Sequence, residues 1–309
     1  MKLVFFGTPE FAVPCLKALH DSSHDVVGVI TNPDTRSGRG LKIQSSNIKK
    51  YAKKLKIPLF QPDDLKDNNF LSSLKEIKPD IYVVVAYKIL PESILSIPVL
   101  GAVNLHASLL PKFRGAAPIN HAILNGEEYT GITTFIIQKK VDTGDILLQE
   151  KLKINDDSTA GEILKILSKM GAKLMIKTLD GLSDNKIVPK KQNNSLASFA
   201  PKIRIDHCRI NWSRTSEEIH NLIRAFSPSP GAFTYYKKKR VKIFRSKVLI
   251  DESNKLLKPG QINFKDPILQ IGTGTKTIQI CDIQIEGKAR LPVTQFILGY
   301  PEIIGKCFE

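Results

Sequence analysis

The chain opens with an apolar run, Leu3 to Phe6, that stops at Gly7-Thr8-Pro9-Glu10. Behind it, "PEFAVPCLKAL" returns apolar residues every three or four positions, the spacing of one helix face. The same alternation then repeats. "DVVGVIT" reads as a second strand, "SSNIKKYAKKLK" as a basic helix, "IPLF" as a short strand and "DDLKDNNFLSSLKEI" as a helix. "DIYVVVAY" is continuously apolar, as expected of a strand buried on both faces. "GAVNLH" and "GITTFII" follow, with a helix, "APINHAILNG", between them. Strands separated by helices predict βαβ units and a mostly parallel sheet. A long helix starts after Thr159, which forms a capping box with Glu162; Ile163, Leu167, Met170 and Leu174 make its apolar stripe.

The pattern changes over residues 183–202, "SDNKIVPKKQNNSLASFAPK", which are polar and rich in Ser and Asn and read as a linker. Beyond them lies one more helix, "RTSEEIHNLIRAF", with Thr215 and Glu218 as its capping box and Ile219, Leu222, Ile223 and Phe226 as its buried face. Short strands then dominate: "GAFTYY", "RVKIFRSKVL", "ILQIGTG" and "TIQICDIQIEGK". Turn signals separate them at the spacing of a small barrel or sandwich.

Composition adds charge to this picture. The 309 residues carry a formal net charge of +16. Residues 190–309 hold 21 Lys/Arg against 10 Asp/Glu, a net +11, whereas residues 1–189 hold 25 against 20, only +5. That asymmetry points to a polyanion partner for the C-terminal part. The four cysteines, Cys15, Cys208, Cys281 and Cys307, lie far apart, with neither a disulfide framework nor zinc spacing. No apolar stretch approaches the length of a membrane span, and the first apolar run is too short for a signal sequence. A cytoplasmic protein with no membrane partner and no metal is expected.

The first strand–loop–helix invites a dinucleotide reading, but "GTPEFA" has Pro9 where the G-x-G-x-x-G fingerprint needs its second Gly, and Ala12 at the third. Proline bars close backbone approach to a pyrophosphate and lacks an N–H. The chemistry-bearing stretch is "AVNLHASLLPKFRGAAPIN", residues 102–120. Ligands of open α/β sheets sit beyond the C-terminal strand ends. Asn104 and His106, two apart on a strand, project to one face. An amide N–H and an imidazole converging there suit the oxyanion of an acyl transfer. A carboxylate should support the imidazole or relay protons. "KKVDTGDIL" offers Asp142, with Asp145 as competitor.

Asn104-Leu105-His106, "SLLPKFRGAAPI" and the distant "VDTGD" together resemble the folate-dependent formyltransferases. "FFGTPEFAVPCLKAL", "NPDTRSGRG", "AYKILP" and "INWSRTSEEIHNLIRAFSPSPGAFT" are similar to the members of that family that act on methionyl initiator tRNA, over nearly the whole chain. The one softer match is Lys88, where the family often has Gly. The resemblance implies an α/β fold: a Rossmann-like, mostly parallel formyltransferase domain (1–189), a linker (190–208) and a smaller OB-like β-barrel domain that binds tRNA (209–309). It implies 10-formyltetrahydrofolate as co-substrate, initiator methionyl-tRNA as partner, a monomer, and Asn104, His106 and Asp142 as catalytic residues. Folate would meet Ser108, Leu109, Leu110 and Pro111, the loop with Ile89 and Leu90, and Val141. The tRNA would meet Arg39, with Arg36 and Lys42 in support. The run "YYKKKRVKIFR" adds Lys237, Lys238, Lys239 and Arg240, with Lys242 and Arg245 beyond, as a backbone track.

Overall fold

A computed structural model of the chain describes residues 1–37, 42–249 and 257–309, and for residues 36, 37 and 42 the backbone alone. The chain forms two compact units, and they interleave. The first holds residues 1–115, 130–152 and 164–199; the second holds 116–129, 153–163 and 200–309. The sequence reading divides the chain contiguously. The structure differs because two short segments are tied to the C-terminal part: Asn120 Nδ2 donates to the Ala225 carbonyl at 2.7 Å, and His220 Nε2 donates to the Asp156 carbonyl at 2.8 Å.

A seven-stranded sheet runs through the first unit. Its order is Ile146–Lys153, Tyr129–Ile136, Ala102–His106, Ile81–Val85, Lys2–Gly7, Asp25–Ile30, Leu59–Phe60. The pairs from Ala102–His106 to Leu59–Phe60 are parallel, and Ala102–His106 meets Tyr129–Ile136 antiparallel. Leu3, Val4, Phe5 and Phe6 are fully buried, which explains why their strand shows no polar alternation. Val85 lies in register with Leu105, so the loops after Val85 and after His106 leave the sheet side by side. Helix Ala160–Ser183 passes Leu105 and Ile132 at Gly171; a Cβ there would come within 2.6 Å of Leu105 Cδ2. The glycine thus allows the helix to press on the strand that carries His106.

The second unit is built on an antiparallel sheet in the order Ala232–Tyr236, Lys239–Val248, Thr277–Ile285, Ile268–Gly272, Ile262–Lys265. Helix Ser216–Ala225 carries the expected capping box, Thr215 with Glu218. It buries Ile219, Ile223 and Phe226 in a core shared with Trp212, Ile243, Ile283 and Phe296.

His220 is one of the buried titratable groups of this unit. Its Nε2 donates to Asp156 O, and Nδ1 lies 3.0 Å from Ser246 Oγ. Burial lowers its pKa below the usual histidine range, and Arg224 adds to the lowering; the bond to Asp156 and the charges of Asp156 and Asp157 oppose it. A lowered folded-state pKa means that the unfolded chain binds the proton first. Stability should therefore hold above pH ~6.5 and fall below it, by at most about 1.4 kcal/mol per pH unit for this group. Urea midpoints from pH 7.5 down to 5 should drop more steeply for wild type than for His220→Gln. Equal slopes would remove His220 as the cause.

Candidate active site

His106 ends its strand with a side chain 6% exposed. Phe135 stands edge-on to the ring, with centroids 6.5 Å apart. His106 Nε2 lies 2.9 Å from the Phe113 carbonyl, which can only accept, so Nε2 carries hydrogen. The other nitrogen, Nδ1, faces Asp142 Oδ2 at 3.7 Å. That is too long for a hydrogen bond but close for a charge pair. Asp142 Oδ2 instead accepts the Gly115 N–H at 2.8 Å. The ring is therefore oriented by a backbone carbonyl and faced by a carboxylate, whereas the sequence reading looked to a carboxylate to support the ring or relay protons. Among the described residues no ion pair links His106 to Asp145, whose backbone carbonyl accepts from Ile136 N at 3.0 Å.

Local backbone makes this geometry possible. Phe113 has φ +61° and Asp142 φ +55°, left-handed values that cost a non-glycine residue about 1–2 kcal/mol each. Phe113 so turned points its carbonyl at the imidazole. Gly144, in the same turn as Asp142, has no room for a side chain: a Cβ would overlap the Ile136 carbonyl oxygen. Asn104 is half-buried on the face of His106, and its side-chain amide makes no hydrogen bond among the described residues, so its N–H donors are free for a ligand.

The residues expected at the folate fall into two groups. Ile89 is 72% exposed and Val141 50%, and Leu109 and Pro111 are partly exposed, so these four can meet a ligand. Ser108, Leu90 and Leu110 are buried, so at these three positions the side chains expose little surface. Ser108 Oγ donates to Lys112 O at 2.6 Å and Ser108 O accepts from Thr133 Oγ1, so this serine ties its loop together.

Residues 190–199 are no loose linker. Lys190 exchanges backbone hydrogen bonds with Ile146, Ser198 accepts from both Phe113 N and Arg114 N, and Gln192 and Asn194 receive the buried guanidinium of Arg114. Composition misled the reading here: the same Asn, Gln and Ser side chains serve a solvated linker or a fastened loop. Gln192, Phe113 O and Gly115 N were not found from sequence; the quoted "FRG" holds the last two, and nothing flags Gln192.

The formyl transferase family matches residues 1–179, and the formyl transferase C-terminal domain matches residues 202–301. The chain belongs to the formyl transferase family. A methionyl-tRNA formyltransferase of Alkaliphilus oremlandii is 44% identical over 97% of this chain and 96% of its own length. One of Thermodesulfovibrio yellowstonii is 45% identical over 96% and 95%. Among solved structures, an N-formyltransferase from Helicobacter canadensis, complexed with folinic acid and dTDP-3-aminofucose, superposes with TM-score 0.68 at 25% identity, covering 91% of this chain and 98% of that one. A methionyl-tRNA formyltransferase from Clostridium thermocellum has the same fold, with TM-score 0.60 at 21% identity over 92% and 98%.

Among this family member's basic candidates, Lys237 and Lys238 occupy the hairpin turn between Ala232–Tyr236 and Lys239–Val248, with φ +47° and +64°. All three lysines 237–239 are exposed. Arg240 is packed instead, its guanidinium 4.6 Å from the centre of the Phe233 ring. Lys242 donates to Pro230 O and Arg245 pairs with Glu162. Arg36 and Lys42 stand on paired strands, Thr35–Ser37 and Lys42–Gln44; Arg39 lies outside the described residues. No described helix is long and apolar enough to cross a membrane, and no group of three or more His, Cys, Asp or Glu among the described residues could hold a metal.

Proposed function

We propose that the protein transfers the formyl group of 10-formyltetrahydrofolate to the α-amino group of methionyl initiator tRNA. The observation that carries the chemistry is the placing of a buried, carbonyl-oriented His106 with Nδ1 facing Asp142 and the free Asn104 amide on the same strand face. Relatives more than 40% identical over nearly full length, all called methionyl-tRNA formyltransferases, support the acceptor. The folate brings a formyl group already activated on nitrogen. The amine adds to the formyl carbon, and its oxygen takes negative charge. Asn104 Nδ2 donates to that oxygen, as an oxyanion hole does, with the His106 imidazole beside it. The Nε2–H bond to Phe113 O holds the ring in place. Asp142 sets its carboxylate 3.7 Å from His106 Nδ1 and, through a water, accepts the amine proton and passes it to the departing folate nitrogen.

Incubation with formylfolate and charged initiator tRNA should yield formyl-methionine, and a sugar-nucleotide amine should not be formylated at a comparable rate. The opposite preference would move the acceptor to the sugar class. Replacing Lys237, Lys238 and Lys239 together with Ala should weaken tRNA binding, lower the log–log salt slope by about 0.7–0.9 for each lost phosphate contact, and leave formylfolate affinity alone. Unchanged affinity and slope would make the hairpin a solvated face.

A further inference from the structure

Gln192 lies in a stretch that composition assigns to a linker, yet its side chain makes four hydrogen bonds. Nε2 donates to the Asp142 carbonyl at 2.9 Å and to the Gly144 carbonyl at 2.8 Å. Oε1 accepts from Arg114 Nε at 3.1 Å and from Arg114 Nη2 at 2.7 Å. The two ends of one amide thus join the turn that carries Asp142 to the segment that carries Gly115. Those same two segments meet again in the Gly115 N–H to Asp142 Oδ2 bond. Arg114, 6% exposed, hydrogen-bonds amide oxygens of Gln192 and Asn194 rather than a carboxylate.

We infer that Gln192 is a positioning residue for formyl transfer, holding the Asp142 turn so that its carboxylate stays on Gly115 N–H and opposite His106 Nδ1. The inference rests on the function proposed above. The side-chain chemistry is specific. The turn offers two carbonyl acceptors, and Arg114 offers two donors, so the bridging group must donate at one end and accept at the other. Glutamine does both. A carboxylate would satisfy Arg114 but set its own oxygens against both carbonyls. Asp142 is in the left-handed region, where its backbone is held against its own preference. A clamp on its carbonyl is therefore what keeps that conformation. Neutral amides around Arg114 also leave Asp142, among the described residues, as the carboxylate paired with the imidazole.

The test is a kinetic cycle on the full-length enzyme. Gln192→Glu keeps the volume and an oxygen for Arg114 while removing both N–H donors; Gln192→Met removes the clamp without adding charge. Both should lower kcat by roughly 10–100-fold, since a displaced catalytic group about 1 Å from its place costs that much, with KM for formylfolate within about threefold of wild type. Asn194→Ala, which loses one bond to Arg114 and spares the turn, should stay within about threefold in kcat. Combined with Asp142→Asn, either Gln192 variant should add little: the double variant should be no more than about threefold slower than Asp142→Asn alone, because both changes disable one group. A kcat within about threefold of wild type for both variants, or penalties that multiply in the double variant, would overturn the assignment. If one variant fails to fold, the other runs the same cycle. Wild-type enzyme inactive on charged tRNA would instead overturn the proposed function, so the two failures are distinguishable.

Discussion

His106→Ala should lower single-turnover formylation at saturating substrates by about 10²–10³-fold, the loss that follows removal of an oxyanion donor. Binding of formylfolate should change by less than about threefold, because the imidazole gains its role only as charge develops on the formyl oxygen. The structure adds a second consequence. The Phe113 carbonyl loses its partner within a buried site, and a stranded acceptor costs about 1–3 kcal/mol of stability. A rate measured on a partly unfolded sample would confuse the two effects. His106→Gln separates them, since a glutamine amide can still donate to Phe113 O while offering no protonatable nitrogen. Both variants slow, with His106→Gln the more stable, is the expected result. Turnover within about fivefold of wild type in a folded variant would take His106 out of the chemistry.

How far the sequence revealed this site depended on what kind of group does each job. The strand ending in Asn104 and His106 was legible, because a period of two and a topological rule place both side chains beyond a parallel sheet. The turn with Asp142 was legible as a motif, and Gly144 explains its form: no side chain fits under the Ile136 carbonyl. Backbone groups were invisible. Every residue has a carbonyl and nearly every one an N–H, so nothing in "FRG" marks Phe113 O as the imidazole's partner or Gly115 N as the carboxylate's. Ser108 adds a loop role that the motif does not announce: its buried hydroxyl donates to the Lys112 carbonyl. The interleaving of the two units also escaped the sequence, since helix Pro118–Leu124 looks like any other helix of a βαβ series.

Asp142→Asn tests the division of labour between charge and shape. Its Oδ2 holds the Gly115 N–H at 2.8 Å, and an asparagine oxygen can take over that bond. The turn, with Gly144 beneath it and Gln192 on its carbonyls, should keep its place. What disappears is the negative charge 3.7 Å from His106 Nδ1 and the base that relays the amine proton. Turnover should therefore fall about 10²-fold or more with both substrates still bound, which is the pattern of an interaction made in the transition state. Because Phe113 O orients the ring, His106 should not flip in this variant; the loss is electrostatic, and the crystal structure of Asp142→Asn should show Nε2 still on that carbonyl. Asp145→Asn should be mild, since among the described residues no ion pair joins its carboxylate to the imidazole. If Asp145→Asn proves crippling and Asp142→Asn stays within about fivefold of wild type, the catalytic carboxylate is Asp145, and the 3.7 Å approach of Asp142 is a feature of the loop alone.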